Sequence, residues 1–416
     1  METIAILGCG SRGRVYCNQI ALHHLQEVKI VAVCDQNAAK AQEVAGLSRC
    51  DPQIFTDTES FFKQGKLADV LVIATQDKDH HAHAMRALAL GYNLLLEKPV
   101  ATNQAAVQQI ADTAAEKGCF VLVCHVLRYS AFYKKIAELL HSGAVGQVMN
   151  IEHTENVGYW HFAHSFVRGP WRNGAQSNPL CVAKCCHDFD LLYWYMGCDC
   201  TAVSSYGSRR YFCTENKPEG AAQYCLQNCP AGASCPYSAA KIYLEPSVPG
   251  APPISNWAST QITGKPNPTD AELRAALTTG PYGRCVFACD NTVCDHQVIS
   301  MTWQNGATAT LTINPFSKDC YRRISVSGTL GELYGADCND YLTLNTFLGN
   351  KSERISLADS STEGHCGGDK GLIDTLVKVM KGEAVEQDYL TTIDRTLKSH
   401  RIAFAAEECR GSAVQL

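Results

Sequence analysis

The first third of the chain alternates short apolar runs with segments of helical period. The apolar runs predict buried strands at Ile4–Leu7, Val28–Cys34, Val70–Ala74, Asn93–Leu96 and Cys119–Cys124. A segment between them, 13–26, has the composition and spacing of a helix. Fully apolar strands joined by helices are typical of a parallel sheet that is covered on both faces. The pattern therefore predicts a doubly wound α/β domain over residues 1–125.

From residue 126 onward the pattern becomes aromatic and β-rich. A helix is predicted over 132–141, and a C-terminal helix over 389–409. Alternating or β-branched segments separated by glycine turns predict further strands, at 147–153, 297–303, 308–313 and 323–327. Residues 205–290 show little periodicity and are rich in Pro, Gly and Cys, which predicts an insertion of loops and short helices. We therefore expect a second, α+β domain over residues 126–416, built on an open and mainly antiparallel sheet.

Composition and charge narrow the function. Of 416 residues, 46% are hydrophobic and 19% charged, which is typical of a globular protein. The net charge of -5, without a basic stripe, argues against a nucleic-acid partner. No stretch approaches the roughly 18 apolar residues of a membrane span. The segment Met1–Thr3 leads into a strand without a charged leader, so we expect a cytoplasmic protein whose 22 cysteines are reduced.

The segment Gly8-Cys9-Gly10-Ser11-Arg12-Gly13 lies between a predicted strand and a predicted helix. Gly8, Gly10 and Gly13 allow a tight turn and close approach of a pyrophosphate to the helix N-terminus, where Ser11 and Arg12 also lie. Asp35 ends the next strand, about 20 residues later, where a carboxylate can accept ribose hydroxyls. No Arg or Lys directly follows Asp35, which favours NAD over NADP, although Arg12 could reach a phosphate. A Rossmann-like domain without cofactor is the alternative.

Polar residues follow two other predicted strands. Glu97-Lys98-Pro99 comes directly after 93–96, and Thr75 and His80 follow 70–74. Ligands of an open α/β sheet bind at the carboxyl ends of its strands, so we assign Thr75, His80, Glu97 and Lys98 to the cofactor edge. A lysine placed there can also hydrogen-bond a substrate hydroxyl while a carbinol becomes a carbonyl.

The glycine loop, the Ala74-Thr75 strand end, Glu97-Lys98-Pro99 and His187-Asp188-Phe189-Asp190 together resemble the Gfo/Idh/MocA oxidoreductases, over essentially the whole chain. The resemblance implies a Rossmann domain, a second domain whose sheet forms substrate and subunit surfaces, a homo-oligomer, and hydride exchange with a sugar or polyol. It assigns catalytic roles to Lys98 and His187.

The chain departs from the family pattern four residues before the histidine. Many members carry an aspartate there, whereas this chain has Ala183, with Lys184 beside it. We expect Lys184 to contact an anionic or hydroxyl-rich substrate. The carboxylates of Asp188 and Asp190 have a simpler alternative role, which is to cap the helix that they open.

Residues 159–172 are dense in aromatic, histidine and arginine side chains, which stack on sugar rings or bind hydroxyls and anions. Other polar groups of this kind follow a strand near residue 124 or precede the helix predicted at 372–380. The predicted substrate contacts are Arg128, Tyr129, Tyr159, Trp160, His164, Arg168, Trp171, Arg172, Lys184, His365 and Asp369. An aromatic core turn is the alternative for the 159–172 segment, and a helix N-terminal carboxylate is the alternative for Asp369. Zinc on His161, His164 and His187 lacks the usual helical spacing, and we assign no catalytic metal.

The thiols of the insertion are concentrated at Cys225, Cys229 and Cys235, with Cys213, Cys285 or Cys289 as a fourth partner. Four thiolates can form a structural zinc or iron–sulfur site. The spacing matches neither standard pattern, so ordinary buried cysteines are the other interpretation.

Three functions remain. The first is an NAD-dependent sugar or polyol dehydrogenase that releases a keto-sugar. The second is redox-neutral glycoside hydrolysis, in which oxidation, elimination, water addition and re-reduction follow one another. The basic 159–172 segment, the insertion and Ala183 favour this second function, on an acidic sugar, in likeness to the family's sulfoquinovosidases. The third, a sensor that binds NAD without catalysis, conflicts with the intact Lys98 and His187.

Overall fold

The computed structural model describes residues 1–245, 256–265, 267–357 and 363–416. Its first sheet has six parallel strands in the order β3-β2-β1-β4-β5-β6. The strands are β1 (Glu2–Leu7), β2 (Val28–Cys34), β3 (Gln53–Phe55), β4 (Val70–Ile73), β5 (Asn93–Leu96) and β6 (Val121–Val123). The helices between them are α1 (Ser11–His23), α2 (Ala38–Ser48), α3 (Thr58–Lys63), α4 (His80–Ala89) and α5 (Gln104–Lys117). This is the predicted doubly wound α/β arrangement.

The second sheet has nine strands in the order β14-β13-β12-β11-β7-β10-β9-β8-β15. They are β7 (Val148–Asn156), β8 (Cys200–Ser208), β9 (His296–Trp303), β10 (Thr308–Asn314), β11 (Tyr321–Gly328), β12 (Gly331–Ala336), β13 (Tyr341–Thr346), β14 (Lys351–Ser356) and β15 (Ser412–Gln415). The pair β7 and β10 is parallel, while the other neighbouring pairs of the described strands are antiparallel. The expected open, mainly antiparallel sheet is confirmed.

The remaining helices cover this sheet or return to the first one. They are α6 (Ala131–His141), α7 (Tyr159–Phe162), α8 (Leu180–Met196), α9 (Ala239–Tyr243), α10 (Asn256–Thr263), α11 (Asp270–Thr279), α12 (Glu363–Cys366), α13 (Gly368–Met380) and α14 (Ile393–Glu408). Helix α8 is buried over most of its surface and packs against β7, β10 and α14. Because α8 begins at Leu180, the segment 187–190 lies in mid-helix, and the expectation that it opens a helix is wrong.

Helices α13 and α14 connect the two sheets. Leu372, Ile373 and Leu376 of α13 belong to the same buried cluster as Tyr16 and Ile20 of α1. On the other face of the first sheet, α14 packs against α5, and the amide of Val123 donates to the carbonyl oxygen of Thr391. The C-terminal part of the chain therefore completes both faces of the first sheet.

In the residues of the insertion that the structure describes there are three short helices, α9 to α11, and single turns of 3₁₀ helix. Its residues 246–255 and 266 lie outside the described residues. One face of the nine-stranded sheet exposes apolar side chains, including Tyr206, Val298 and Tyr334. The homo-oligomer implied by the family resemblance stays a prediction. None of the helices in the described ranges combines the length and apolar character that crossing a bilayer requires.

Candidate active site

The glycine loop between β1 and α1 packs tightly on one side and is open on the other. Gly8 has φ +97°, and a Cβ atom there would lie 2.4 Å from the carbonyl oxygen of Ala74. A Cβ on Gly13 would lie 1.9 Å from the carbonyl oxygen of Gly8, so no larger residue fits. A Cβ on Gly10 would meet no described atom within 4 Å, and no described side chain caps α1 after it. The open side offers helix amides to a diphosphate.

Asp35 borders a cavity of about 200 Å³ that reaches from the glycine loop to the end of β4. Its Oδ2 accepts from the amide of Cys9 at 2.8 Å, and its Oδ1 accepts from the amide of Asn37 at 2.8 Å. These bonds fix the carboxylate where ribose hydroxyls would approach, and its charge opposes a 2′-phosphate. The cavity thus fits NAD. Residues that also line it, and that the sequence analysis did not assign, include Gln36, Lys40 and Thr58.

The side chain of Arg12 is held within the protein. Its Nε lies 2.7 Å from Glu97 Oε1, and its Nη2 lies 2.7 Å from Asp369 Oδ1 and 2.6 Å from the hydroxyl of Tyr16. Although burial alone would raise the pKa of Glu97, the charges of Arg12 and Lys98 lower it below its usual value. The side chains of Arg12, Glu97 and Asp369 already have partners within the protein, and their predicted contacts with cofactor or substrate stay predictions. These groups form an ion-pair network that joins α1, β5 and α13.

The end of β4 is held by histidines. Thr75 lines the cofactor cavity, and its Oγ1 lies 3.1 Å from Nδ1 of His83. His80 is buried, with Nδ1 2.8 Å from the carbonyl oxygen of Pro99 and Nε2 3.1 Å from that of Thr75. Because both ring nitrogens of His80 face backbone carbonyls, its predicted cofactor contact is replaced by a bracing role between β4 and the Lys98-Pro99 segment.

Lys98 reaches from the end of β5 to the second domain. Its Nζ donates to the carbonyl oxygen of Ala183 at 3.4 Å, on α8. Ala183 lies one helical turn before His187, so the lysine and the histidine lie at the same part of α8. The methyl group of Ala183 occupies the position at which many relatives were expected to carry a carboxylate.

His187 is a buried, uncharged imidazole beside this lysine. Its exposed fraction is 5%, and its Nδ1 has no hydrogen-bond partner among the described residues. Burial, followed by the positive charge of Lys98, holds the pKa of His187 well below 6.5. A neutral imidazole keeps one nitrogen free to accept a proton.

Three further histidines lie near this pair. The ring centroid of His125 lies 5.6 Å from that of His187 and 5.7 Å from that of His400, and the His365 ring lies 6.3 Å from His187. His365 Nδ1 lies 3.1 Å from Asp369 Oδ2, which links it to the Arg12 network. His125 follows β6 and carries no motif, so the sequence alone gave no signal for its position.

The predicted substrate ligand Lys184 already has a partner. Its Nζ lies 3.1 Å from Glu155 Oε1, and Arg322 Nε lies 2.8 Å from Glu155 Oε2 and 2.7 Å from Asp188 Oδ1. Asp188 also accepts from His153 at 2.7 Å in the interior. Asp188 is therefore a buried ion-pair partner and not a helix cap. Burial lowers the pKa of His161, and the nearby charge of Lys184 lowers it further.

Three further predicted contacts are buried away from the site. Arg128 forms a two-pronged ion pair with Asp190, at 2.6 and 2.9 Å, and the Tyr129 hydroxyl lies 3.0 Å from Thr391 Oγ1. His164 stacks on Tyr282 with ring centroids 4.6 Å apart. Their polar groups have partners in the interior, and the assignments of Arg128, Tyr129 and His164 to substrate stay predictions. The pairing of Asp190 with Arg128 also excludes the helix-cap alternative for Asp190.

Arg168 is likewise buried and contacts no part of the catalytic pair. Its Nε donates to the carbonyl oxygen of Arg284 at 2.8 Å, and its Nη2 donates to that of Tyr237 at 2.7 Å. Its assignment to substrate likewise stays a prediction. The segment that carries it, 163–168, is a π-helical turn that turns Arg168 toward the insertion.

Tyr159, Trp160, Trp171 and Arg172 are partly exposed, whereas the other aromatic side chains of this segment, Phe162 and Phe166, are buried. Trp160 stacks on His161, with centroids 5.5 Å apart, and Tyr159 makes an edge contact with Tyr237. Trp171 Nε1 donates to Asp77 at 3.2 Å, and Arg172 Nε lies 2.8 Å from Asp290 Oδ1. The assignments of Tyr159, Trp160, Trp171 and Arg172 to substrate stay predictions. The hydrogen bond to Asp77, which follows β4, also anchors this segment to the first domain.

The structure therefore brings Lys98, His187 and His365 together beside the cofactor cavity, with Lys184 and His161 at the border. His164 contacts Tyr243, Gln261 and Tyr282 instead. The arrangement offers a lysine donor and a neutral histidine next to a dinucleotide site.

Two family models match this chain. Residues 3–125 match the NAD-binding Rossmann fold of the GFO_IDH_MocA oxidoreductase family, and residues 137–403 match the C-terminal alpha/beta domain of that family. Together the two matches cover most of the chain, and the first one makes the N-terminal domain an NAD-binding domain.

Individual proteins are more distant. The putative oxidoreductase YteT of Bacillus subtilis is 23% identical over 325 residues, which are 74% of this chain and 72% of that protein. Inositol 2-dehydrogenase 4 of Saccharopolyspora erythraea is 26% identical over 52% of this chain, which spans 60% of that protein. The WlbA dehydrogenase of Bordetella pertussis, solved with NADH and UDP-GlcNAcA, superimposes with a TM-score of 0.66 at 16% identity, covering 100% of this chain and 98% of that one. This last likeness shows the shared fold.

Proposed function

Because the chain belongs to the Gfo/Idh/MocA oxidoreductase family, we propose that it is an NAD-dependent dehydrogenase that oxidises a ring carbinol of a sugar or polyol. The observation that carries this proposal is the position of Lys98, which extends from the cofactor edge of the first sheet to Ala183, one turn from the uncharged His187. The dehydrogenase names of relatives, and the UDP-sugar bound by one structural neighbour, support a carbohydrate substrate.

Each group has a separate task in this reaction. Bound NAD⁺ supplies the hydride acceptor. Lys98 donates a hydrogen bond to the carbinol oxygen and keeps it oriented, because the ammonium group has donors left beyond its bond to Ala183. The neutral imidazole of His187 accepts the hydroxyl proton as the carbonyl forms. His365, held by Asp369, borders the same space and can hydrogen-bond a neighbouring hydroxyl.

One observation favours the second candidate, redox-neutral glycoside hydrolysis. A groove of about 470 Å³ separates the start of α1 from α10 of the insertion, and Trp257 and Gln261 line it opposite Gly10 and Ser11. A dinucleotide that is covered by the insertion would be retained between turnovers, which a redox-neutral cycle requires. The relatives described above carry oxidoreductase or dehydrogenase names, so the dehydrogenase is the better supported function, contrary to the preference from sequence.

The two functions give different products from one experiment. The purified protein is incubated in deuterated water with sugars, polyols and glycosides, acidic ones included, at catalytic and at stoichiometric NAD⁺. The dehydrogenase releases one NADH per keto-sugar and no aglycone. Many turnovers per NAD, with deuterium at C2 of the released sugar, would establish hydrolysis instead. A chain that fails to bind NAD⁺ in calorimetry would exclude both.

A further inference from the structure

Four cysteine side chains of the insertion line one small cavity away from the active site. They are Cys225, Cys229, Cys235 and Cys285, in an otherwise largely apolar lining. All four are free thiols, and Cys285 is buried while the others are half-buried. Three of these thiols are close in sequence, and the fourth lies about 50 residues later.

The backbone holds these thiols in place. The amide of Cys225 donates to the carbonyl oxygen of Gly283 at 2.8 Å, and the amide of Cys285 donates to that of Gln223 at 2.9 Å. These two bonds lock the two chain segments side by side. Two tight turns follow. The amide of Gly232 donates to the carbonyl oxygen of Cys229, and the amide of Cys235 donates to the carbonyl oxygen of Ala231, each at 2.9 Å. The loop is thus folded around the cavity by its own hydrogen bonds.

A buried cation beside the thiols lacks an ordinary counter-ion. Arg168 is 0% exposed, its Nη2 lies 3.5 Å from Cys225 Sγ, and its Nη1 has no hydrogen-bond partner in the described part of the chain. A buried guanidinium is normally paired with an anion, because leaving it unpaired is energetically costly. The contacts described for Arg168, two backbone carbonyls and one thiol, include no carboxylate.

We propose that Cys225, Cys229, Cys235 and Cys285 hold a thiolate-ligated metal centre whose negative charge pairs with Arg168. Four thiolates around Zn²⁺, or around a [4Fe–4S]²⁺ cluster, leave a net negative charge in either case. The same charge would satisfy the guanidinium and would tie 225–235 to 285. Because Arg168 ends the 159–168 segment, the centre would fix that segment beside the active site in a structural role.

The two kinds of centre place different demands on the thiolates. A zinc ion needs its four sulfurs around one point, whereas a cluster binds each thiolate to a different iron and accepts sulfurs that are farther apart. Within the described residues, no three His, Cys, Asp or Glu side chains are placed to hold one metal ion as they stand. Binding a single zinc ion would therefore require the thiol side chains to turn toward one point.

The test is metal analysis of the full chain, purified without oxygen. We expect about one centre per chain, seen as iron with acid-labile sulfide and visible absorption, or as one zinc without sulfide. Cys229→Ser and Cys235→Ser should lose most of the metal, whereas Cys119→Ser, a half-buried thiol of the first domain, should retain it. Iron with sulfide identifies a cluster, and zinc alone identifies a single ion.

A second measurement needs no variant. In the wild-type protein the four thiols should resist alkylation until a chelator or an oxidant removes the metal, while Cys119 reacts at the same rate before and after. The proposal is overturned if the folded protein contains no metal and takes up neither zinc nor iron and sulfide on reconstitution. It is also overturned if the metal persists in both serine variants.

Discussion

The backbone amide of Val100 donates a hydrogen bond of 3.1 Å to Nε2 of His400. Because Nε2 accepts this bond, Nδ1 must carry the proton, and it lies 3.1 Å from the carbonyl oxygen of Thr396. His400 is therefore neutral and fixed in one tautomer. Val100 follows Lys98 by two residues, so helix α14 holds the backbone that carries the lysine.

Replacing His400 by phenylalanine should loosen this support. The buried amide of Val100 would lose its acceptor, which costs about 1–3 kcal/mol of unfolding free energy. We expect kcat to fall while NAD affinity changes little, as measured by urea unfolding, steady-state kinetics and calorimetry. His23→Phe, at an exposed position on α1, is the control. A His400→Phe variant as stable as the wild type would show that this hydrogen bond does not support the fold.

Stability should decrease in mild acid. Burial, the largest cause in each case, lowers the pKa of His125 and His164 to about 4 and that of His400 to about 3. The unfolded chain binds these protons near pH 6.5, so stability is complete above that pH and is lost as the pH falls toward 4. Each group contributes a loss of up to roughly 2 kcal/mol at pH 5.

Urea unfolding at pH 7.5 and pH 5 measures this loss directly. His164→Asn should reduce the difference between the two pH values, because it removes one of the titrating groups. Equal or greater stability at pH 5 would contradict the assignment of these histidines as neutral in the folded state.

Lys98→Met should separate cofactor binding from catalysis. The Asp35 cavity and the glycine loop are unchanged in this variant, so NAD should still bind with near-normal affinity. Hydride transfer should fall by about 10²–10⁴-fold, the usual contribution of a positioned acid–base group. Lys117→Met, at the end of α5, is the control. Near-normal turnover of Lys98→Met would remove this lysine from the mechanism.

The pH dependence of kcat/KM should report His187. Burial and the charge of Lys98 lower its pKa below 6.5, so the base stays unprotonated to pH values at which an ordinary histidine would be charged. We therefore expect the acidic limb of the profile to have its midpoint below pH 6.5. His187→Gln should abolish most activity along with this limb. A midpoint at or above 6.5 would mean that another group is the base.

Arg12→Met should destabilise the protein without changing cofactor preference. The carboxylates of Glu97 and Asp369 would remain buried without their cation, which typically costs about 3–5 kcal/mol. Arg14→Met on the same helix breaks a more exposed pair with Glu43 and should cost about 1 kcal/mol or less. If Arg12→Met instead changed the ratio of NAD to NADP affinity, its guanidinium would have to contact the cofactor.

The elements that could be predicted from the sequence are those with a clear local pattern of residues. The strands 28–34 and 93–96 and the glycine loop follow from apolar runs and spacing, and Lys98 follows from its place after a strand. The start of α8 was missed because the helix is buried nearly all round and shows no amphipathic period. The strands β12 to β14, of six residues each, were not predicted either.

The interior partners of two arginines at the site could not be predicted for a different reason. Arg128 is followed by Tyr129, and Arg168 lies in the aromatic-rich segment 159–172, which indicated a polar binding surface. Their partners Asp190 and Arg284 lie 62 and 116 residues away, so their burial depends on tertiary contacts that no local pattern records. A charged side chain in such a segment can bind substrate, or it can form an ion pair or hydrogen bond in the interior. Only the distant partner distinguishes the two roles.

The return of α13 to the first sheet affects how the chain folds during synthesis. Leu372, Ile373 and Leu376 complete a cluster whose other members, such as Tyr16 and Ile20, leave the ribosome long before them. Until α13 arrives, that apolar surface of the nascent domain faces water and is available to chaperones or to other unfinished chains. The N-terminal domain therefore reaches its final packing only after α13 has been synthesised, and a translational pause before that point would prolong its exposure.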